Sequence, residues 1–159
     1  GKPTTRKQIV KMLRKELAAK LGAKISDDPD APTHYDILNN GATKEFAQEV
    51  PEFSLRNMQN VLASDEWIGF GYLEFICNAL NKDIYILEMA RRDIYASYDL
   101  HLTIKGNRRS IVLYYIEGHY ELVGLLLSDG SFGTHFDPDN KFIRFLYDRV
   151  QAKISGVKE

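Results

Sequence analysis

Residues 108–127 read RRSIVLYYIEGHYELVGLLL, two apolar runs separated by Glu117-Gly118. The first run, residues 110–116, is rich in Ile, Val, Leu and Tyr, which is typical of a β-strand covered on both faces. Glu117-Gly118 favours the tight turn that joins hairpin strands. The second run, residues 119–127, is equally apolar and is the return strand. The sequence therefore predicts a β-hairpin at the centre of the fold.

Two ionisable residues follow the turn, His119 and Glu121. Side chains alternate along a strand, so residues two apart point to the same face. An imidazole beside a carboxylate can act as a base and the group that orients it. Spacing alone leaves a second interpretation open, a surface histidine at a strand end beside a solvated glutamate, because two residues do not define a site.

Length and composition set broad limits. The chain has 159 residues, 44% of them hydrophobic and 27% charged, which predicts one globular domain over residues 1–159. The formal net charge of −1 does not favour a nucleic-acid partner. We find no apolar run of about 18 residues and no secretory leader, so no membrane association is expected. A single cysteine excludes an internal disulfide and fits a reducing, intracellular and cytoplasmic location.

The N-terminal half predicts helices. The helix over residues 5–21 is expected to be capped at its start and to bury one face, made of Ile9, Val10, Leu13, Leu17, Ala18 and Leu21. Its other faces are basic, and they are either solvated or able to bind phosphates or acidic partners. His34 is assigned to a loop. Further helices are predicted over residues 43–49, from Ser54 onward, and over residues 70–81, where Leu73, Ile76, Cys77 and Leu80 form the buried stripe.

The C-terminal half predicts mostly strands. They cover residues 83–88, 94–104, 110–116, 119–127 and 132–137, and the last of these places His135 and Asp137 on one face. A closing helix follows over residues 139–154. This order predicts an α+β (α/β-like) fold, a small mixed central β-sheet with helices on its faces.

Several kinds of chemistry lack their usual motif. The histidines show no HxxH or HExxH spacing, and no P-loop, GxGxxG or GxSxG occurs. No metal and no cofactor is therefore expected. Cys77, the single thiol, lies on the apolar side of a predicted helix and is interpreted as a small buried hydrophobic residue.

Three segments in order carry a family resemblance. Trp67-x-Gly69 precedes a helix with Leu73 and Leu80, the strand Ile84-Tyr85-Ile86 follows, and the apolar strand of residues 110–115 leads to Gly118-His119-Tyr120. Together they resemble the ovarian-tumour-type (OTU) cysteine proteases. The first helix, with Arg6, Val10 and Leu13, is similar to the helix that follows the nucleophile helix in that family, so the resemblance covers about residues 4–123.

The resemblance implies an OTU-like, papain-related fold and a deubiquitinase, a thiol hydrolase of isopeptide bonds to ubiquitin or a ubiquitin-like protein. It implies that His119 is the general base and that Tyr120 packs beside it, with Trp67 and Tyr120 as binding residues. Glu121 occupies the place where the family usually has the Asn or Asp that orients the imidazole. Asp137 is an alternative orienting residue.

The family nucleophile lies in an Asp-Gly-x-Cys-type loop that opens a helix before the segment resembling residues 4–21. This sequence begins with Gly1-Lys2-Pro3, just after that point. Cys77 aligns with a core position instead. We therefore expect the chain as written to lack the nucleophile and to be inactive as a protease.

Three functions remain open. The first is an OTU-like deubiquitinase domain without its nucleophile loop. The second is an OTU fold retained as a binding module for ubiquitin or another protein, and the third is a binder of nucleic acid or an acidic partner through the basic helix of residues 5–21. A homo-oligomer is expected if apolar sheet surface is left uncovered. Compact chains of this kind are similar to OTU-like proteins of large DNA viruses, which suggests a viral protein.

Overall fold

The computed structural model describes residues 1, 5–40, 53–96 and 100–156. The chain forms two compact units, Gly1–Ala79 and Leu80–Glu159. Helices build the first unit, and a small mixed sheet with helices builds the second. The predicted α+β class with a small mixed sheet is confirmed, whereas one domain over the whole chain stays a prediction. The helix predicted over residues 43–49 lies outside the described residues.

Helix α1, Arg6–Leu21, begins where the sequence predicts. Thr5 is its N-cap and forms a capping box with Gln8, and Gly22 is its C-cap. The helix packs against α2 (His34–Asn40) and α3 (Leu55–Ala63). A core of buried side chains forms between them and the segment that follows, made of Ala18, Leu21, Leu38, Met58, Leu62, Tyr72 and Phe75.

Two predictions for α1 and α2 are wrong. The predicted buried face of α1 is buried only near its C-terminal end, because Ile9, Val10 and Leu13 are exposed. His34 is not in a loop but begins α2. The Thr33 hydroxyl accepts a hydrogen bond from the Asp36 backbone N–H (3.0 Å), and the Asp36 carboxylate accepts one from the Thr33 N–H (2.8 Å). This reciprocal pair satisfies two backbone donors at the helix start and so stabilises it.

The last helix of the unit, α4 (Leu73–Leu80), follows a 3₁₀ turn at Phe70–Tyr72. Cys77 is buried in it, as predicted. The predicted stripe is wrong at Leu80, which is exposed, and Phe75 is the large buried side chain instead. Helix α3 begins after its predicted cap, Ser54, and buries Met58 and Leu62 as expected.

The second unit contains a four-stranded mixed sheet. Its strands are β1 (Asp83–Glu88), β2 (Asp93–Ile94), β3 (Ser110–Ile116) and β4 (His119–Val123), in the order β2-β1-β3-β4. Strands β1 and β3 are parallel and the other pairs are antiparallel. A parallel pair needs a long crossover, which here contains β2 and the short helix α5 (Leu100–Thr103).

The organising hairpin is confirmed. Strands β3 and β4 pair in antiparallel register, with Ile116 opposite His119. Glu117 and Gly118 have φ values of 47° and 80°, the left-handed values that a two-residue turn of the I′ kind requires.

The outer part of this hairpin departs from the prediction. β4 is not covered on both faces, since His119 to Leu122 are all exposed. The return run breaks after Val123, and β5 (Leu125–Leu126) pairs with β6 (Phe132–Gly133) in a separate two-stranded sheet. The strand predicted over residues 132–137 is therefore only two residues long. Of the strand predicted over residues 94–104, residues 97–99 lie outside the described residues, and Leu100–Thr103 form α5 instead.

The closing helix α6, Lys141–Ile154, is confirmed. Asn140 caps it by accepting from the N–H groups of Phe142 and Ile143, and its buried side chains are Ile143, Leu146 and Val150. It packs against α5 and β2. No helix among the described residues is both long and apolar enough to cross a bilayer.

Candidate functional site

The predicted dyad forms at the start of β4. His119 Nε2 lies 2.7 Å from Glu121 Oε1, and the two side chains are 68% and 66% exposed. They share a face of the sheet with Ile116 and Tyr114, which are their partners across the β3–β4 ladder. The alternation along a strand therefore places the imidazole and the carboxylate in contact.

This geometry has a chemical consequence. A carboxylate at Nε2 fixes the orientation of the ring and leaves Nδ1 as the nitrogen that can take up a proton from another group. In the part of the chain that the structure describes, no three His, Cys, Asp or Glu side chains are grouped to hold a metal ion. The dyad is thus an exposed acid–base pair.

Tyr120 points to the opposite face of β4. Its ring packs on Tyr115 with a centroid distance of 4.9 Å and an interplanar angle of 46°. Burial, and then the neighbouring Tyr115, Tyr95 and Glu88, raises the pKa of the Tyr120 hydroxyl. Tyr120 is adjacent to His119 in sequence, but its ring lies on the other side of the sheet.

The other predicted site residues lie elsewhere. Asp137 forms an ion pair with Arg109, whose Nε is 3.2 Å from Asp137 Oδ1, so the acid that contacts His119 is Glu121. Trp67 belongs to the first unit and is 79% exposed. It follows α3 and precedes the 3₁₀ turn and α4, the order of elements on which the OTU resemblance depends.

The second unit also contains a groove that the sequence did not indicate. Its volume is about 530 Å³, and it lies between α6 and the adjoining ends of β1, β2 and β3, lined by Leu87, Glu88, Met89, Arg92, Asp93, Ile94, Tyr114, Phe142, Phe145, Leu146 and Arg149. The one sequence feature that could have pointed to it is Phe145, a large apolar residue outside the buried stripe of α6.

Comparison with known proteins adds no assignment. No model of a protein family matches the chain, and no curated protein matches it either.

Proposed function

We propose that the chain is part of an OTU-like deubiquitinase, in which His119 and Glu121 are the base and its orienting acid. The observation that carries the proposal is the 2.7 Å contact between His119 Nε2 and Glu121 Oε1 at the start of a strand in a mixed sheet. The substrate is an isopeptide bond to ubiquitin or a ubiquitin-like protein. The nucleophilic thiol comes from outside residues 1–159.

The dyad has a defined role in this chemistry. The free Nδ1 of His119 takes the proton of the thiol, and the thiolate attacks the isopeptide carbonyl carbon. Glu121 stabilises the imidazolium without itself becoming protonated. The imidazolium then gives its proton to the departing lysine amine, and water hydrolyses the thioester with His119 again acting as base.

Cys77 does not fit the nucleophile. Its side chain is fully buried within α4, so the thiol is not accessible to a substrate carbonyl. We therefore expect residues 1–159 alone to be inactive.

The test uses a ubiquitin-based probe that traps an active-site thiol. The chain of residues 1–159 should remain unlabelled, and a longer chain that includes the residues encoded upstream should be labelled at an added cysteine. In the longer chain, His119→Ala should slow labelling by about 10²–10⁴-fold, the usual contribution of a general base. Glu121→Gln should slow it less, because it removes only the charge beside the ring.

Two results would contradict this proposal. One is labelling of Cys77 in residues 1–159, and the other is a labelling rate in the longer chain that His119→Ala leaves unchanged. Asp137→Asn is the matched control, since it removes an exposed carboxylate that pairs with Arg109. If Asp137→Asn slows labelling and Glu121→Gln does not, Asp137 is the orienting residue.

A second candidate is an OTU-like module that binds ubiquitin or another protein without catalysis. The observation that favours it is a set of exposed apolar side chains, Tyr120 and Leu122 on the face of β4 opposite the dyad and Leu126 on β5. Titration with ¹⁵N-labelled ubiquitin should then shift ubiquitin resonances, and Leu122→Lys should abolish the shifts. Absence of any shift would remove this candidate.

The basic helix is the weakest basis for a function. Arg14 donates to the carbonyls of Val61, Leu62 and Glu66, and Lys20 donates to the Ala79 carbonyl, so two of its cations already have partners. Binding of nucleic acid through α1 would show a steep dependence on salt concentration. No binding at low salt would exclude it.

A further inference from the structure

The groove beside α6 has the dimensions of a small-molecule site. Its volume of about 530 Å³ falls within the range of about 300–1,000 Å³ that is usual for ligand pockets. All of its lining residues belong to the second unit. Tyr114 forms part of its lining, and the partner of Tyr114 across the β3–β4 ladder is Glu121, so the groove opens on the face that carries the dyad.

The interior of the groove is apolar. Leu87 on β1, Ile94 on β2 and Leu146 on α6 line it, and the Tyr114 hydroxyl contacts Met89 Sδ, a weak acceptor. Phe145 is 66% exposed although it lies beside these side chains. Covering a large exposed aromatic ring at the mouth of an apolar groove is favourable, because it removes apolar surface from water.

The charged side chains at the rim of the groove differ in whether they have a partner of opposite charge. The Asp93 carboxylate accepts from Arg149 Nη2 at 2.9 Å and from Lys153 Nζ at 2.6 Å, and Glu88 pairs with Arg91 at 3.4 Å. The Asp93 carboxylate is therefore neutralised within the protein, whereas Glu88 has the exposed Arg91 nearby but its buried Oε2 accepts no hydrogen bond from the described residues. Arg92 is the cation of the lining whose side chain has no acidic partner in the described part of the chain.

The backbone of Arg92 is also unusual. Its φ is 50°, a left-handed conformation that costs an arginine about 1 kcal/mol and that glycine or asparagine would adopt more easily. Residues held in such conformations cluster at active sites and ligand sites.

We propose that this groove binds a small apolar carboxylate, a molecule with an aliphatic body and one terminal anionic group. The aliphatic body lies against Leu87, Leu146 and Phe145. The carboxylate pairs with the guanidinium of Arg92, which presents two N–H groups to it. This inference does not depend on the proposed deubiquitinase, because none of its residues belongs to the dyad.

The experiment measures binding of three ligands with the same body by titration calorimetry: decanoate, decanol and decyltrimethylammonium, each below its solubility or micelle limit. Decanoate should bind saturably at one site and about tenfold more tightly than the other two, as a charge-assisted contact predicts. Equal affinity for all three would show that the groove selects no anion and would overturn the proposal, as would the absence of saturable binding.

Two pairs of variants locate the site. Phe145→Ala should weaken decanoate binding about tenfold through lost apolar contact, whereas Phe132→Ala, which removes a ring that is 64% exposed outside the groove, should not. Arg92→Ala should remove the preference for decanoate over decanol, and Arg92→Lys should keep part of it. Arg56→Ala, on α3 of the first unit, is the matched loss of an exposed cation and should change nothing.

All four side chains are exposed, so the variants should fold, which circular dichroism checks. Decanoate binding that Phe145→Ala and Arg92→Ala leave unchanged would place the ligand elsewhere and overturn the proposal. Labelling with the ubiquitin probe is a separate measurement, so failure of one proposal leaves the other standing.

Discussion

At the scale of single residues, Gly106 is a position where a side chain would be costly. Its φ is +77°, and a Cβ there would lie 2.5 Å from the ring of Tyr147. We expect Gly106→Ala to lower the free energy of unfolding by about 2 kcal/mol or more, from backbone strain and overpacking together. Urea unfolding followed by circular dichroism measures the change.

A variant at Gly118 distinguishes backbone strain from overpacking. Its φ is +80°, but the space around its Cβ position is open. Gly118→Ala should therefore show the cost of the left-handed backbone alone, about 1 kcal/mol. If the two variants lose equal stability, the contact with Tyr147 contributes nothing and this account of Gly106 is wrong.

The candidate site shows what residue spacing can predict. Strand alternation placed His119 and Glu121 on one face, and the structure brings them to 2.7 Å. Spacing could not decide between Glu121 and Asp137, because the neighbour of Asp137, Phe136, pairs with Ser110, a residue distant in sequence. The prediction of a loop at His34 is wrong for a local reason, because the helix start depends on the capping pair of Thr33 and Asp36 rather than on apolar spacing.

At the scale of elements, β2 is held to α6 by one carboxylate. Asp93 accepts from Arg149, from Lys153 and from the Ile94 backbone N–H (2.7 Å). The hydrogen bond from Arg149 is the main cause that lowers the pKa of Asp93 well below its usual value of about 3.9. The short strand β2 therefore owes part of its position to charge.

Asp93 should make stability depend on pH. Because its pKa is lower folded than unfolded, its contribution is complete above about pH 3.9 and is lost as the pH falls through the lowered folded pKa. Asp93→Asn should cost about 1 kcal/mol at pH 7, the size expected for a partly exposed charge pair. Urea unfolding of both proteins from pH 7 downward should show the difference shrinking only below about pH 4.

Asp129→Asn is the control that shows whether the pH dependence belongs to Asp93. Asp129→Asn removes a carboxylate whose pKa is also lowered, but by hydrogen bonds from Ser131 within an exposed turn. It should change stability less than Asp93→Asn at pH 7. A difference between Asp93→Asn and the unmodified protein that persists unchanged in acid would mean that packing, not charge, is responsible.

Helices and strands can be predicted where local sequence signals extend over many residues. β1, the β3–β4 turn, α3 and α6 begin close to the predicted residues because caps, turn residues and apolar spacing agree there. The predicted burial of α1 is wrong at Ile9, Val10 and Leu13. Periodicity shows which face of a helix is apolar, but not how much of its length the other helices cover. The predicted strand of residues 94–104 has weak β propensity, and its residues Leu100–Thr103 form the helical turn α5 instead.

At the scale of the whole molecule, the notable feature is apolar surface that the described residues leave exposed. Leu122 lies on β4, an edge strand of its sheet within the described residues. Further exposed apolar side chains lie on β5, just after it and on β6, namely Leu125, Leu126, Leu127 and Phe132. No periodicity argument could predict this, because exposure depends on which elements cover the sheet. Edge strands with apolar side chains tend to pair with another chain.

We therefore expect residues 1–159 to self-associate as the protein concentration rises, through this surface on β4, β5 and β6. Light scattering coupled to size-exclusion chromatography should show the mean mass increasing with concentration. The double variant Leu122→Lys with Leu126→Lys should restore the monomer mass, because charged side chains on an edge strand oppose strand pairing. Ile25→Lys, which adds one lysine at an exposed apolar position of the first unit, should leave the association unchanged. A monomer mass at every concentration would mean that this surface does not bind a second copy, and association that Ile25→Lys abolishes would place the interface on the first unit.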